Sequence, residues 1–234
     1  MIPQTVFFDL DGTLIDQFKP IYRSYLHALE ELNLEPVDYE TVKQTVGGSV
    51  DLTMERLIGP KLAPRAVEIF LPYFDEIMFE DLIAMPGAKE ILEALQVQGK
   101  RLAVFTNKRG DAARSTLDYL GLIPCLDEVF GANDTPWRKP QPEFSRHVLE
   151  KMATSAEESR LVGDSPFDLQ AASVVGMPCH LVATGTHDLE QLAQTGATSV
   201  HEDLFALAKE CFGLDLNPLS KAEDRPDGET IASG

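Results

Sequence analysis

Short, mainly apolar runs recur along the chain and predict the strands of a buried sheet. These runs cover residues 5–10, 101–106, 128–130, 160–162 and 179–183. Because polar residues do not alternate within them, they are typical of strands buried on both faces of a parallel sheet. Amphipathic helical patterns lie between the runs, for example over residues 88–98 and 111–120. The alternation predicts an α/β fold with a doubly wound parallel sheet and a Rossmann-like core.

The segment 17–85 breaks this alternation of strands and helices. Four helical patterns follow one another there without a convincing strand between them, over residues 20–32, 38–46, 50–58 and 63–82. Glycine and proline pairs separate the patterns, and Pro86-Gly87 marks the return to the strand and helix alternation. The pattern predicts an α-helical cap over residues 17–85, inserted into a catalytic core formed by residues 1–16 and 86–213.

The composition is that of an ordinary folded protein, with 44% hydrophobic and 25% charged residues. The last segment, 214–234, is polar and contains several prolines and glycines, so we expect it to be a disordered tail. The formal net charge of −18 repels polyanions, which disfavours nucleic acid as a partner. A small anionic substrate would need a local cluster of cations, backbone N–H groups or a metal ion to overcome this field.

The cysteines and the apolar runs bear on the cellular compartment of the protein. Cys125, Cys179 and Cys211 are odd in number and show no C-x-x-C spacing, so we expect neither a disulfide framework nor a zinc site. No apolar run approaches the roughly 20 residues that span a bilayer, and the first residues lack the pattern of a secretion signal. We therefore expect a cytoplasmic protein without a membrane partner.

Polar side chains follow the predicted strands at their carboxyl ends, where parallel sheets bind ligands. Asp9 and Asp11 close the first strand, Thr106 and Asn107 close the second, and Asp164 follows a later one. Two neighbouring carboxylates that point into one crevice repel each other unless a cation lies between them. Together with Asp164 they form an oxygen-rich cluster of the kind that suits Mg²⁺.

The same residues can carry out phosphoryl transfer. The carboxylate of Asp9 would attack phosphorus to form an aspartyl-phosphate. Asp11 would protonate the leaving alkoxide and then activate a water molecule. For an isolated pair of aspartates the plainer alternative is a polar strand end that faces solvent.

The other polar residues would surround the phosphate. Thr106 and the backbone N–H of Asn107 would donate hydrogen bonds to its oxygens, and Lys139 would supply a balancing positive charge. Gly12 would permit a close approach of the backbone. Thr106 and Asn107 are also residue types that cap helices, and Lys139 taken alone would suit an exposed surface position.

Four segments that contain these residues resemble the motifs of the haloacid dehalogenase-like hydrolase superfamily. They are DLDGTLID at 9–16, VFTNK at 104–108, RKPQPE at 138–143 and VGDSPFDLQAA at 162–172. The resemblance covers residues 5 to about 185 and implies the roles given above for Asp9, Asp11, Thr106 and Lys139. It also implies Mg²⁺ ligands, namely the carboxylates of Asp9 and Asp164 and the main-chain carbonyl of Asp11, with Asp168 in an outer position.

The helical insert resembles the small cap of the phosphoglycolate phosphatase and β-phosphoglucomutase branch. Such caps close over small substrates and exclude water. The segment TVGGSVDLTMERLIG at 45–59 resembles the substrate-facing loop of that branch. This resemblance implies substrate contacts from Gly47, Gly48 and Ser49, and from Lys43 just before them.

The motifs together favour a Mg²⁺-dependent phosphatase that acts, as a monomer or homodimer, on a small phosphorylated metabolite. The substrate would be phosphoglycolate-like or a sugar phosphate. A phosphomutase of the β-phosphoglucomutase type is the first alternative, and a regulator that binds phosphorylated ligands without catalysis is another. A dehalogenase is disfavoured, because that branch lacks an acid two residues after its nucleophile and this chain has Asp11.

Overall fold

A six-stranded parallel sheet forms the centre of the computed structural model, which describes residues 3–216. In spatial order the strands are β5, β4, β1, β6, β7 and β8, and every neighbouring pair is parallel. Their bounds are β1 Thr5–Phe8, β4 Arg101–Phe105, β5 Glu128–Phe130, β6 Ser159–Gly163, β7 Cys179–Val182 and β8 Ser199–His201. A separate antiparallel ribbon pairs β2 (Ile15–Asp16) with β3 (Ile83–Ala84).

Ten α-helices and one short 3-10 helix (Ile123–Cys125) accompany the strands within residues 3–216. Four of them, α1 Phe18–Glu31, α2 Tyr39–Lys43, α3 Val50–Ile58 and α4 Ala63–Ile77, lie between the strands of the small ribbon and are called the cap below. The others are α5 Ala88–Val97, α6 Gly110–Tyr119, α7 Pro142–Lys151, α8 Pro166–Ser173, α9 Leu189–Ala193 and α10 Leu204–Phe212. Side-chain caps explain several starts: Asp38, Ser49 and Asp203 each accept a hydrogen bond from a first-turn N–H.

The alternation of side chains along β1 places apolar groups on both faces of the sheet. Val6 and Phe8 pack into one hydrophobic cluster, which continues into the cap, and Phe7 packs into a second cluster on the opposite face. All three side chains are completely buried. Helices therefore cover both faces of the sheet, which confirms the α/β fold with a Rossmann-like parallel core and an inserted helical cap.

Some elements differ from the sequence prediction. The five predicted strands are present, but the edge strand β8 was not predicted. The strand Ile83–Ala84, which follows the last of the four cap helices, was also not predicted; it pairs with Ile15–Asp16 where the chain enters and leaves the cap. A two-residue strand is too short to give a periodic signal.

The predicted domain boundaries and the predicted tail lie outside the regular helices and strands of the core. The domain boundaries at residues 17 and 85 stay a prediction, although they lie next to the ribbon strands. Of the predicted tail, residues 214–216 belong to no helix or strand, and 217–234 lie outside the described residues. Among residues 3–216, no helix combines the length and apolarity that crossing a membrane requires.

Candidate active site

Three acidic side chains converge beyond the carboxyl ends of β1 and β6. Asp9 follows β1, Asp164 follows β6, and Asp168 lies in the first turn of α8. One carboxylate oxygen from each residue lies within 4.8 Å of the others. All three side chains are buried. We call these residues the carboxylate cluster, and their meeting follows from the adjacent parallel pairing of β1 with β6.

A buried lysine faces the carboxylate cluster. Nζ of Lys139 lies 2.9 Å from Oδ1 of Asp9 and 2.6 Å from Oδ1 of Asp168. Burial alone would lower the pKa of Lys139, but the carboxylates of Asp168 and Asp9 outweigh it and raise this pKa above its usual range. The sequence-predicted cation is therefore buried beside the aspartates rather than exposed on the surface.

Both oxygens of Asp168 have partners within the protein. Its Oδ1 faces Lys139, and its Oδ2 accepts hydrogen bonds from the backbone N–H and the hydroxyl of Ser165, at 3.1 and 2.8 Å. The bond from the Ser165 N–H is one half of a capping box at the start of α8, in which the Ser165 side chain accepts from the backbone N–H of Asp168. Such an arrangement suits a residue that orients Lys139, and it leaves Asp9 and Asp164 with more freedom to contact a bound ion.

Asp164 is held from the loop after β7. Its Oδ2 accepts hydrogen bonds from the backbone N–H of Thr186 at 2.8 Å and from its hydroxyl at 3.1 Å. Gly185 and Gly12 make room for this carboxylate, since added Cβ atoms would lie 1.9 and 2.7 Å from Oδ2. Gly12 also has a positive φ of +86°, which favours glycine. The sequence prediction named Gly12 but missed Gly185 and Thr186, although they closely follow a predicted strand.

The electrostatics of the carboxylate cluster favour a cation. Burial raises the pKa of Asp9 to about 6, although the Lys139 ammonium acts to lower it. Burial and the repulsion of Asp168 and Asp9 raise the pKa of Asp164 well above its usual range. Three buried carboxylates therefore face one ammonium group. A set of hard oxygen donors with excess negative charge fits Mg²⁺.

Asp11 lies outside the carboxylate cluster and has a different cationic partner. Both of its carboxylate oxygens lie 3.0 Å from Nζ of Lys108. The carboxylates of Asp9 and Asp11 were predicted to face one shared cation, whereas in the structure Asp9 pairs with Lys139 and Asp11 with Lys108. Sequence reasoning quoted Lys108 within a motif but gave it no role.

Thr106 and Asn107 form the bottom of the site at the end of β4, and both are buried. The amide nitrogen of Asn107 donates hydrogen bonds to the carbonyls of Gly47 and Lys139, at 2.9 and 3.0 Å. Its Oδ1 accepts a bond from the Lys139 N–H at 2.7 Å. The N-cap of α6 is Arg109, so Thr106 and Asn107 do not have the alternative role of capping that helix.

A cavity of about 290 Å³ lies between these residues and the cap. On the core side, Asp9, Asp11, Thr106 and Asn107 line it. On the cap side, the loop residues Gly47, Gly48 and Ser49 line it together with mainly apolar side chains, among them Ile21, Tyr25, Val67, Phe70, Leu71 and Phe74. Four predicted site residues do not line the cavity, namely Gly12, Lys139, Asp164 and Asp168. Lys43 does not line it either, and its Nζ lies 5.3 Å from the centre of the Phe18 ring.

Three cations also line the cavity, and each faces a carboxylate. They are Lys108, Arg109 and Arg138. Arg138 donates a hydrogen bond to Oγ of Ser49 at 2.7 Å and lies 3.4 Å from Asp51, both in the cap. Arg109 forms an ion pair with Asp75 of the cap. Polar contacts thus join the cap to the core around the rim of the cavity.

The chain is similar to known proteins of one hydrolase family. Residues 6–182 match the family model described as haloacid dehalogenase-like hydrolase. The phosphoglycolate phosphatase of Rhodospirillum rubrum is 32% identical over 217 residues, covering 88% of this chain and 90% of its own length. That of Aquifex aeolicus is 31% identical, covering 78% and 85%. The crystal structure of a hydrolase from Pseudomonas syringae is similar with a TM-score of 0.78 and 26% identity, covering 90% and 99%.

Proposed function

The chain belongs to the haloacid dehalogenase-like hydrolase family and is a phosphatase, and from this premise we propose that it hydrolyses a small phosphorylated metabolite with Mg²⁺ through an aspartyl-phosphate. The observation that carries the proposal is the buried carboxylate cluster with Lys139, next to a cavity that the cap closes. A cluster of this kind has the hard donors, the excess negative charge and the neighbouring space that metal-assisted phosphoryl transfer requires.

Asp9 would be the nucleophile, because its carboxylate lies at the cavity and is oriented by Lys139. One of its oxygens attacks phosphorus as the bond from phosphorus to the leaving oxygen breaks. Asp11, also on the cavity wall, passes a proton to that leaving oxygen. In the second step Asp11 takes a proton from water, which attacks the phosphorus and releases inorganic phosphate and the free Asp9 carboxylate.

The surroundings would stabilise the charge on the transferring group. The Thr106 hydroxyl and the backbone N–H of Asn107, two residues that line the cavity, would donate hydrogen bonds to phosphate oxygens. Mg²⁺, held by Asp9, Asp164 and the main-chain carbonyl of Asp11, would neutralise negative charge on those oxygens when bound. Asp168 would keep the Lys139 ammonium beside Asp9 throughout both steps.

The cavity restricts the leaving group. A volume of about 290 Å³ is at the low end for small-molecule sites, which favours a small leaving group. Gly47, Gly48 and Ser49 would contact the leaving group, and the apolar cap side chains would surround its carbon atoms. We propose an ester of the phosphoglycolate type or a sugar phosphate, since relatives such as that of Rhodospirillum rubrum are phosphoglycolate phosphatases.

The test uses p-nitrophenyl phosphate, phosphoglycolate and β-glucose 1-phosphate with the purified full chain. We expect release of inorganic phosphate that requires Mg²⁺ and stops with EDTA. Replacement Asp9→Asn should abolish turnover and the acid-stable transfer of label from ³²P-labelled ester to the protein. Asp118→Asn, an exposed aspartate on α6, is the matched control. Unchanged turnover in Asp9→Asn would overturn the proposal, and isomerised sugar in place of phosphate would indicate a phosphomutase.

A further inference from the structure

Two histidines, a serine and a cysteine meet on one face of the sheet, away from the strands that carry Asp9 and Thr106. His180 lies on β7, directly opposite Ser199 of β8 in the strand register. His201 is two residues after Ser199, so its side chain points to the same face. Helix α10 packs on these strands and brings Cys211 to the same place.

The potential ligand atoms in this group face one another. Sγ of Cys211 lies 3.4 Å from Nδ1 of His180 and 3.3 Å from Nε2 of His201. Oγ of Ser199 lies 2.7 Å from Nδ1 of His180 and 2.6 Å from Nε2 of His201. The nitrogen and sulfur atoms all lie within 4.8 Å of one another. We call His180, His201 and Cys211 the thiol–imidazole cluster.

These separations are close to those of a tetrahedral metal centre. Metal–nitrogen bonds of about 2.0 Å and metal–sulfur bonds of about 2.3 Å at tetrahedral angles place nitrogen and sulfur about 3.6 Å apart. The observed distances from Cys211 to His180 and His201, 3.4 and 3.3 Å, need only a small opening to reach this value. The Ser199 hydroxyl, which lies between the imidazoles, would become the fourth ligand or give way to water.

The groups around the cluster suit metal binding. Oε2 of Glu210 lies 3.1 Å from Nδ1 of His201, on the ring side away from Cys211. A carboxylate this close would, by accepting the N–H of that nitrogen, hold the histidine so that its other nitrogen faces the metal.

We propose that His180, His201 and Cys211 form a second metal site for a borderline divalent ion, with Zn²⁺ as the favoured occupant. Nitrogen and thiolate ligands prefer such ions, whereas the carboxylate cluster prefers Mg²⁺. Binding would exchange the Cys211 S–H proton for the metal, so one proton leaves per ion bound. A surface cavity lined by His180, Thr198 and Cys211 provides the path of entry.

The expectation from the sequence was that no zinc site exists, because the cysteines lack C-x-x-C spacing. The ligands of the proposed site lie on two strands and a helix. Because they are distant from one another in the sequence, no local motif predicts the site. Bound metal would tie α10 to β7 and β8 at the edge of the sheet. The site would therefore stabilise this edge without contacting the phosphate ester.

The test is a titration of the metal-free full chain with Co²⁺, a spectroscopic substitute for Zn²⁺, in Mg²⁺-containing buffer. We expect about one Co²⁺ per chain, with absorption from a thiolate–cobalt bond and displacement by Zn²⁺. Cys211→Ser should lose this absorption, and Cys125→Ser, which changes another buried cysteine, should retain it. Glu210→Gln should weaken the affinity about 10- to 100-fold.

Circular dichroism and hydrolysis of p-nitrophenyl phosphate show that each variant is folded. If Cys211→Ser misfolds, His201→Gln serves in its place, since it removes a nitrogen ligand and leaves the thiol. The proposal is overturned if the folded wild-type chain shows no thiolate–cobalt absorption. It is also overturned if the same absorption persists in the folded Cys211→Ser variant or, where that variant misfolds, in His201→Gln.

Discussion

Nζ of Lys108 lies 3.0 Å from both carboxylate oxygens of Asp11, and the two side chains are only 7% and 12% exposed. Limited exposure makes this ion pair stronger than one on the open surface. The same ammonium lies 4.9 Å from the centre of the Phe74 ring in the cap. Lys108 thus positions the proposed acid and base and also contacts the cap that covers it.

Replacing this lysine should slow catalysis. We expect Lys108→Met to lower kcat about 10- to 100-fold, because Asp11 loses its fixed position but remains present, whereas Asp11→Asn should cost the ~100- to 10,000-fold typical of a lost acid and base. Lys108→Arg, which keeps the charge, should retain more activity. Steady-state kinetics on p-nitrophenyl phosphate measure both, and a wild-type kcat in Lys108→Met would contradict the role.

The buried Lys139 should matter for folding as well as for catalysis. Lys139→Met leaves Asp9 and Asp168 without their ammonium partner, and breaking a buried ion pair in this way costs about 3 to 5 kcal/mol. We expect a correspondingly lower free energy of unfolding in urea, and almost no turnover. Lys61→Met, at an exposed position, is the control. Equal stability of the two variants would show that Lys139 is not held as described.

Metal binding should stabilise the folded protein. Mg²⁺ bound at the proposed site would relieve the repulsion among Asp9, Asp164 and Asp168. Because such an ion would bind only the folded state, Tm should rise with its concentration. Asp164→Asn should reduce this shift strongly and lower activity, because it removes one of the charges. Differential scanning fluorimetry with Mg²⁺ and EDTA checks this, and an undiminished shift in the variant would place the metal elsewhere.

The glycine beside Asp164 offers a test of geometry without a change of charge. An added Cβ at Gly185 would lie 1.9 Å from Oδ2 of Asp164, so Gly185→Ala must displace that carboxylate. A displacement of about 1 Å can cost about 100-fold in rate, and we expect a loss of that order in kcat/KM. The change should weaken the Mg²⁺ dependence of Tm in parallel. Full activity would mean that the position of Asp164 is not critical.

The contact from Arg138 to the cap should affect substrate affinity more than chemistry. Arg138→Gln removes the hydrogen bond to Ser49 and the charge opposite Asp51. Since one hydrogen bond contributes about 1 kcal/mol, we expect KM to rise about 5-fold with a smaller change in kcat. Arg65→Gln, which breaks an exposed ion pair with Glu68 in the same cap, is the control. An effect of equal size in both variants would argue against a specific contact.

The elements that could be predicted from the sequence are those with continuous apolar runs that are buried in the core. The strand ending at Phe8 was predictable because Val6, Phe7 and Phe8 are apolar, consecutive and completely buried. The edge strand Ser199–His201 was not, since only Val200 is apolar and the residues on either side of it face the thiol–imidazole cluster. A polar face on a three-residue strand leaves no periodic signal.

In the candidate site, too, some residues could be predicted from the sequence and others could not. Polar residues directly after strands, such as Asp9, Thr106 and Asp164, follow from the rule that ligands bind at the carboxyl ends of parallel strands. The same rule applied to the strand before Thr186 would have found that residue. The bond from Asn107 to Gly47 depends on how the cap lies over the core, which no local pattern specifies.

The side chain of Asn107 binds the cap loop and the lysine loop simultaneously, next to the backbone N–H proposed to receive phosphate. Any shift of the cap that stretches the bond to Gly47 therefore also disturbs the phosphate pocket, and by thermodynamic reciprocity an occupied pocket favours the closed cap. Inorganic phosphate, the released product, would bind the backbone N–H of the same residue. Product inhibition and cap opening should consequently vary together among variants of this residue.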